Sequence, residues 1–465
     1  MGAALFVTTV TSFLTPLMGS ALNLALPAIG REFSLDAVTL GWIPTAYLLA
    51  AAIFLIPFGR LGDIYGRKRI YASGVVLYTV SSLLCGLAPS AVGLIGLRVA
   101  QGLGASMVFS TAMAILTSAT PADMRGRVIG INTASVYAGL TCGPVVGGFL
   151  TQHYGWRSVF FLNVPLGIII LVVLLWKLRD EWAEARGEAF DIPGSVVFGV
   201  SLVALIYGLS RLPGAAGIAC VAGGLAGLAG FVVWQTRARS PLVDVGLFRR
   251  NRVFGFSNLA TLINYATTSA VGFLVSLYLQ TIKDYSPREA GFVMLSQPVI
   301  MALFSPLAGR FSDRIEPRIV SSAGMALCVA GLVMFAFIGS GTSIGFIVAA
   351  RVVMGLGFAL FSAPNTNAIM SSVEKKTYGV AAATLSTMRL TGQMLSMGLT
   401  MMIFALRIGR VEIEPPRYPA FVGAAKIVFA MFAVFCFAGI FASLVRGKVR
   451  PKAAEKLPGA GAPSP

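Results

Sequence analysis

The sequence predicts an all-α polytopic membrane protein: two six-helix halves plus two extra helices, fourteen transmembrane helices in total. Three observations predict it. Of the 465 residues 56% are hydrophobic and 12% charged, with a mean hydropathy of +0.82, far from the roughly 25% charged content of soluble domains. Apolar stretches of about 20 residues, enough to cross a bilayer, recur along the chain. Finally, the segment Gly59-Arg60-Leu61-Gly62-Asp63-Ile64-Tyr65-Gly66-Arg67-Lys68-Arg69 has a weaker echo, Gly309-Arg310-Phe311-Ser312-Asp313-Arg314, 250 positions later. A second pair agrees with it, because Arg98-xxx-Gly102-Leu103-Gly104 recurs as Arg351-xxx-Gly355-Leu356-Gly357 at an offset of 253. Two matched offsets make the chain a duplication, and duplicated halves in helical membrane proteins usually flank a transport pathway.

The spans fall near 5–28, 40–58, 70–88, 91–117, 128–151 and 158–178, which gives an N-terminal six-helix half at 1–178. The charged interruption from Lys177 to Asp191 opens a linker at 179–252 with two inserted spans, near 192–210 and 215–235. Six more, near 253–280, 289–309, 319–339, 342–370, 379–405 and 421–444, make a C-terminal half at 253–444. The inserted pair accounts for the offset: six helices need roughly 180 to 200 residues, and two more with their loops about 50. The tail at 445–465, made of Pro, Gly, Ala and Lys, has nothing to bury and is expected to be disordered and cytoplasmic. Ala25-Leu26-Pro27-Ala28 imitates a signal-peptidase site, but no basic stretch precedes it and further spans follow, so the first span is retained. Met1 abuts that span, and the true start is expected a few residues upstream.

The 36 Lys and Arg residues concentrate in alternate loops. One set holds Arg60, Arg67, Lys68, Arg69, Arg125, Arg127, Lys177, Arg179, Arg186, Arg237, Arg239, Arg249, Arg250, Arg252, Arg310, Arg314, Arg318, Lys375 and Lys376, and the opposite loops hold far fewer. This is the positive-inside asymmetry, and it places both termini in the cytoplasm of a cell-membrane protein. It also accounts for the net charge of +18 with no nucleic-acid partner. The five cysteines lie far apart in apolar stretches, which fits neither a disulfide framework nor a zinc site. With one histidine, His153, no nucleophile and base pair, no metal-ligand spacing and no phosphate-cradling loop, the chain reads as no enzyme, takes no cofactor or metal, and does not run on ATP.

Within 59–69, Gly59 and Gly66 allow a tight turn, Asp63 can face the N-terminal end of a neighbouring helix, and Arg67 and Lys68 can anchor to phosphates or carbonyls. That makes a conformational latch; the alternative is an ordinary basic loop, against which the echo at 309–318 speaks. Arg98 stands about seven residues into its span, where a charge costs a few kcal/mol unless hydrated or paired. With Gln101 and Arg389 it is a candidate proton-coupling or central polar site, or else a structural tie to carbonyls. Gly139, Gly143 and Gly147 share one helix face with Pro144 and Gly148 beside them, a surface for close helix packing and bending. Asn23, Asn258, Asn264, Tyr265, Gln280, Gln297, Arg351, Asn365, Asn367 and Gln393 are candidates to line a substrate cavity, because polar groups inside an apolar span must find partners or water. Met388, Met394, Met397, Met401 and Met402 suit an adaptable apolar site.

These residues carry a family resemblance. Gly59, Asp63, Gly66, Arg67 and Lys68 match the Gly-x-x-x-Asp-x-x-Gly-Arg-(Arg/Lys) loop of the major facilitator superfamily. Arg98, Gln101, Gly102 and Gly104 reproduce its Arg-x-x-Gln-Gly-x-Gly pattern, and Gly139 to Gly148 resembles the fifth-span signature of its exporters. Asn23-Leu24-Ala25-Leu26-Pro27 and Trp156-Arg157-Ser158-Val159-Phe160-Phe161-Leu162-Asn163-Val164-Pro165-Leu166-Gly167 narrow the likeness to the fourteen-span drug:proton antiporters, over nearly the whole chain. The resemblance implies the major facilitator fold and alternating access, with 1–178 rocking against 253–444. It implies a monomer that exports a small amphipathic substrate against protons within the lipid bilayer, with a periplasmic adaptor protein as a further partner. It also implies that Asp63 caps the thirteenth span near Gly379 and holds the outward-facing state.

The chain departs from that pattern in its acids. Met18 stands where the family places an aspartate, and no Asp or Glu lies in the middle of a predicted span. Arg98, Arg351 and Arg389 lie there instead, so the pathway carries net positive charge and favours anionic or neutral amphiphiles. The missing acid keeps metabolite uniport or symport as an alternative, and a non-transporting sensor or scaffold is the alternative from another class.

Overall fold

A computed structural model describes residues 2–121, 124–178, 180–238, 240–374 and 378–447. The apolar runs form α1 (Gly2–Glu32), α2 (Ala37–Tyr65), α3 (Arg67–Gly86), α4 (Ala91–Ser118) and α5 (Arg125–Tyr154). A sixth span is divided into α6 (Arg157–Phe161) and α7 (Asn163–Lys177); α8 (Ile192–Arg211) and α9 (Ala215–Gln235) follow as a hairpin. The short α10 (Val245–Arg250) leads to α11 (Arg252–Thr268), which continues as α12 (Ala270–Leu277) and a π turn at Tyr278–Ile282. The chain then forms α13 (Pro287–Arg314), α14 (Pro317–Ala336), α15 (Ile344–Ser371), α16 (Tyr378–Arg407) and α17 (Tyr418–Val445). Helix starts are marked by short polar side chains: Asp36, Ser90, Asp191, Asn251 and Ser343 each accept from a first-turn N–H, and Ser286 with Glu289 forms a reciprocal capping box.

Among the described residues thirteen helices are long and apolar enough to cross a membrane. The helix at the thirteenth predicted span, α16, is 30 residues long but less apolar, since Arg389, Gln393 and several hydroxyls interrupt it.

The duplication is visible in the helix crossings. A Cβ added to Gly104 would lie 2.7 Å from the Tyr78 nitrogen and one on Gly357 2.7 Å from the Cys328 nitrogen, so α3 crosses α4 as α14 crosses α15. Within the first half α1 packs along α5, and α2 and α3 along α4; within the second, α13 and α14 pack on α15, and α11 on α16 and α17. The inserted α8 touches both halves, through α2 and α16.

The two halves meet at the end of the bundle away from the termini. There the Ser276 hydroxyl donates to the Asn23 carbonyl, Gln280 Nε2 donates to the Leu24 carbonyl at 3.1 Å, and the Ala37 N–H donates to the Val411 carbonyl at 3.3 Å. A Cβ on Gly148 would come within 2.5 Å of the Pro287 oxygen, and one on Gly291 within 2.4 Å of the Pro144 oxygen. At the end carrying the termini, a Cβ on Gly126, Gly130, Gly309 or Gly379 would meet nothing within 4 Å. Among the described residues, the hydrogen bonds and close glycine approaches between the halves gather at the end away from the termini, and the end carrying the termini is the more open.

Two local expectations change. Arg446, read from the sequence as the start of the tail, is fully buried and donates to Asn365 Oδ1 at 2.7 Å and to the hydroxyls of Ser257 and Ser321 at 3.2 Å each. The three polar groups between α11, α14 and α15 offset part of the cost of burying its charge. Trp156, an aromatic residue beside Arg157 ahead of an apolar run and so suited by sequence to an interfacial anchor, is buried under the α1–α2 turn, where its indole N–H donates to Glu32 at 2.7 Å and the Arg157 guanidinium covers its ring at 4.3 Å. The expectations for Arg179, Arg239, Lys375, Lys376 and the tail at 448–465 lie outside the described residues.

Candidate functional site

The sequence points most clearly to the basic loop between α2 and α3. Gly66 takes φ +119°, a backbone angle that side chains disfavour, and so permits the sharp α2–α3 turn. Arg67 then folds back, with Nε donating to Asp63 Oδ1 at 2.7 Å and Nη1 to the Ser118 hydroxyl at 3.0 Å. Its two terminal nitrogens form a fork on Glu184, 2.9 Å each. The Lys68 backbone N–H donates to Glu181 at 2.9 Å, Arg60 pairs with Glu188, and the Asp63 carbonyl accepts from the Ala185 N–H at 2.9 Å.

The basic loop therefore binds the linker after α7. The expected partner, the start of α16 near Gly379, is exposed and has open space beside it. The reason is physical: the halves are parted at this end, and three linker glutamates offer charge-assisted bonds within reach. The sequence carries a sign of this, since Glu181, Glu184 and Glu188 lie three and four apart beside a basic loop.

Arg98 is 3% exposed. Its Nε donates to the Ile43 carbonyl at 3.2 Å, Nη1 donates to Gln101 Oε1, and the guanidinium stands 4.4 Å from the centre of the Tyr47 ring. Gln101 Nε2 continues to the Ser82 hydroxyl at 2.7 Å. The network joins α2, α3 and α4 inside the first half. Arg351, in the equivalent place, donates from Nη2 to the Met294 carbonyl at 2.6 Å and leaves Nε and Nη1 without a partner. Both arginines are packed inside their own half and neither lines the gap between halves.

The glycine face works as a packing surface and divides in two. Cβ atoms on Gly139, Gly143 and Gly147 would come within 2.1 Å of the Phe13 oxygen, 2.5 Å of the Ser20 hydroxyl and 2.4 Å of the Ala21 Cα, all on α1. Gly148 and Pro144 instead meet Pro287 and Gly291 of α13, across the junction of the halves.

Arg389 is the intramembrane arginine that lies at the junction. It is half-buried on α16, donates from Nη2 to the Thr366 hydroxyl of α15 at 2.9 Å, and sits 5.8 Å from the Tyr265 ring of α11. Its Nε has no partner. Tyr265 packs edge-on to Phe358 at 5.2 Å, and Tyr137 of α5 approaches it from the other half. Gln393 follows one turn along α16 and is also half-buried.

The remaining amides separate by position. Asn365 is buried, donating to the Ser257 carbonyl at 3.1 Å and the Thr261 hydroxyl at 2.8 Å, and so braces α15 against α11. Asn258 donates to the Phe254 carbonyl at 2.9 Å and Asn264 approaches the Cys328 sulfur at 3.9 Å, both fully buried inside the second half. Asn367 is exposed and bonds to Ser312 at 3.2 Å, Gln297 is half-buried on α13, and Asn23 lies in the closed end against Gly272. Burial thus removes Asn258, Asn264, Asn365 and Arg351 from the cavity lining expected of them, because the neighbouring helices supply packing or carbonyls. Met18 is buried as well, with Asn163 Nδ2 3.1 Å from its sulfur. Asn163, Thr366 and Tyr137 are the site residues that sequence reasoning did not single out.

The chain matches the profile of the Major Facilitator Superfamily over residues 8–256 and 257–465. It is 31% identical over 431 residues to the riboflavin transporter RibZ of Clostridioides difficile, covering 92% of this chain and 93% of that one. It is 30% identical over 445 residues to the cephamycin export protein CmcT of Amycolatopsis lactamdurans, covering 92% and 90% respectively. Among solved structures it resembles a bacterial homologue of the human lysosomal transporter Spinster in an inward-facing, unoccupied conformation. The TM-score is 0.69 at 17% identity, covering 95% of this chain and 96% of that one.

Proposed function

The chain belongs to the Major Facilitator Superfamily, and from that membership we propose that it exports small hydrophobic or amphipathic compounds by alternating access. The observation that carries the proposal is the junction: halves tied at one end, parted at the other, with half-buried Arg389, Tyr265 and Gln393 between them. Export in particular is supported by the likeness to a protein named for cephamycin export.

Residues 1–178 rock against 253–444 in this reading, and α16 counts as the fourteenth crossing. The basic loops put both termini in the cytoplasm, so the parted end faces the cytoplasm and the conformation is the one that takes up substrate. When that end closes, Arg67 releases the linker acids, and the Asp63 carboxylate that Arg67 now holds meets the start of α16. The glycine contacts of α5 with α1 and α13 supply the smooth surfaces on which the helices tilt. One chain contains the whole junction, which suits a monomer. Metabolite uniport or symport is the second reading, favoured by one observation: Met18, not an acid, packs against Asn163 in the first half.

The test is uptake by inside-out membrane vesicles of a panel of acidic, neutral and cationic amphiphiles, with and without the protein. Accumulation of at least one class above vesicles lacking the protein is expected. Equal accumulation in both, with folded protein in the membrane, would sink the export reading.

A further inference from the structure

The helices hold their charges in a one-sided way. Every aspartate or glutamate within a described helix lies at an end: Glu32 is the last residue of α1, Asp63 is two from the end of α2, and in α13 Glu289 is third and Asp313 next to last. The cations go deeper. Arg98 and Arg351 are each the eighth residue of their helices and Arg389 is the twelfth of α16, while Lys426 stands on an exposed face of α17.

Of these only Arg389 faces the junction half-buried. Thr366 takes one of its donors, Nε is unpartnered, and no carboxylate within a helix interior is there to balance it. A guanidinium in that position repels cations and binds carboxylate, sulfonate or phosphate oxygens through paired, charge-assisted hydrogen bonds. The edge-on pair of Tyr265 and Phe358 beside it offers an apolar wall to a flat ring.

We infer, resting on the reading of outward transport above, that the substrate carries a negative charge held by Arg389 and leaves down the electrical gradient, with no proton returned. A coupled antiporter needs a group that gains and loses a proton within the pathway, and the usual carboxylate is missing there. An exported anion needs none. Moving one net negative charge outward across an inside-negative membrane sustains a concentration ratio of about fiftyfold per 100 mV. The membrane potential alone drives such export, and Arg389 sets its specificity by neutralising the anion during its stay between the halves.

The test uses the full chain in liposomes loaded with naphthalene sulfonate, a permanently ionised aromatic anion, with the potential clamped by potassium and valinomycin and a trapped dye reporting internal pH. Sulfonate efflux should rise severalfold at 100 mV inside-negative over zero potential, with no pH change. The uncharged naphthamide should be carried without a response to potential. Arg389→Ala and Arg389→Gln should lose at least tenfold in sulfonate efflux while still carrying naphthamide, which shows that they fold, and Arg389→Lys should keep part of the anion flux. Efflux accompanied by proton entry would overturn the inference in favour of antiport, because exchange of the anion for a proton moves two charges and responds to the potential still more steeply. So would a naphthyl trimethylammonium cation moving faster than the sulfonate and unaffected by Arg389→Ala. If no naphthalene of any charge moves above protein-free liposomes, the export reading fails and the inference fails with it.

Discussion

Arg98 and Arg351 occupy one place in two copies of the same frame, and their fates differ. The glycines beneath them match: Gly102 lies against the Tyr47 carbonyl as Gly355 lies against that of Gln297, and Gly104 meets Tyr78 as Gly357 meets Cys328. By that register the partners of Arg98 have counterparts of another chemistry. Gln101 corresponds to Met354, Tyr47 to Gln297 and Ser82 to Leu332. Arg98 therefore spends its donors inside the first half, whereas Arg351 keeps two donors unspent in an apolar setting. Duplication preserved the backbone crossings, which depend on glycine, and let the polar content drift, since each half needs a working arginine network only where its helices must be held rigid.

The comparison is broken most directly by removing each cation in the same way. Arg98→Met should cost about 2 to 3 kcal/mol, because it leaves the buried Gln101 oxygen and the Ile43 carbonyl without their donor. Arg351→Met should be near neutral or stabilising by about 1 kcal/mol, since it trades an under-partnered buried charge for an apolar chain of similar length. Thermal unfolding of the two variants in detergent checks this. Equal losses would mean that the two arginines do the same structural work.

A gain-of-function version sharpens the point at smaller amplitude. Met354→Gln with Leu332→Ser gives Arg351 the amide and hydroxyl that Arg98 has. Alone, Met354→Gln buries an amide N–H without a partner; with the serine present, the two should couple favourably by about 1 kcal/mol in a double-mutant cycle. A coupling energy of zero would show that the register drawn from the glycines does not extend to the side chains.

How much of this was legible beforehand follows the same division. The spans, the duplication and the packing role of Gly139, Gly143 and Gly147 could be read from the sequence, because hydropathy and close helix approach depend on residue type alone. The cavity list could not. Asn258, Asn264 and Asn365 look like Gln393 in a sequence, and only the rotation of α11 and α15 decides that the first three turn into the second half. Arg446 was misplaced for a related reason: a basic residue after an apolar run reads as a cytoplasmic flank, and the pocket that receives it is assembled from Ser257, Ser321 and Asn365, positions far apart in the chain. Conformational state was the hardest part. The motif at 59–69 supplies charged donors and acceptors, but which partner they bond depends on which end of the bundle is closed.

That last point sets the smallest expected effect. The loop at 59–69 has the linker acids across from it, whereas its echo at 309–314 is followed directly by α14. Only the first copy can therefore be clasped by Glu181, Glu184 and Glu188. One member of each pair is well exposed, Glu188 at 55%, Glu184 at 67% and Arg69 at 79%, so each is solvent-screened on that side and worth at most about 1 kcal/mol. Replacing all three glutamates by Gln should free Arg60 and Arg67 from the linker and raise the population closed at the termini-bearing end two- to fivefold, by about 0.5 to 1 kcal/mol. Distances between spin labels at the exposed positions 127 and 310 would report it as growth of the shorter component. Raising the salt should move the wild type in the same direction, since it weakens the same exposed pairs. Adding Asp63→Asn to the triple variant should cancel the gain, because the Asp63 carboxylate is the group that has to reach α16. A distance distribution that ignores all three glutamates would mean the clasp is decorative and that closure is governed by the glycine contacts alone.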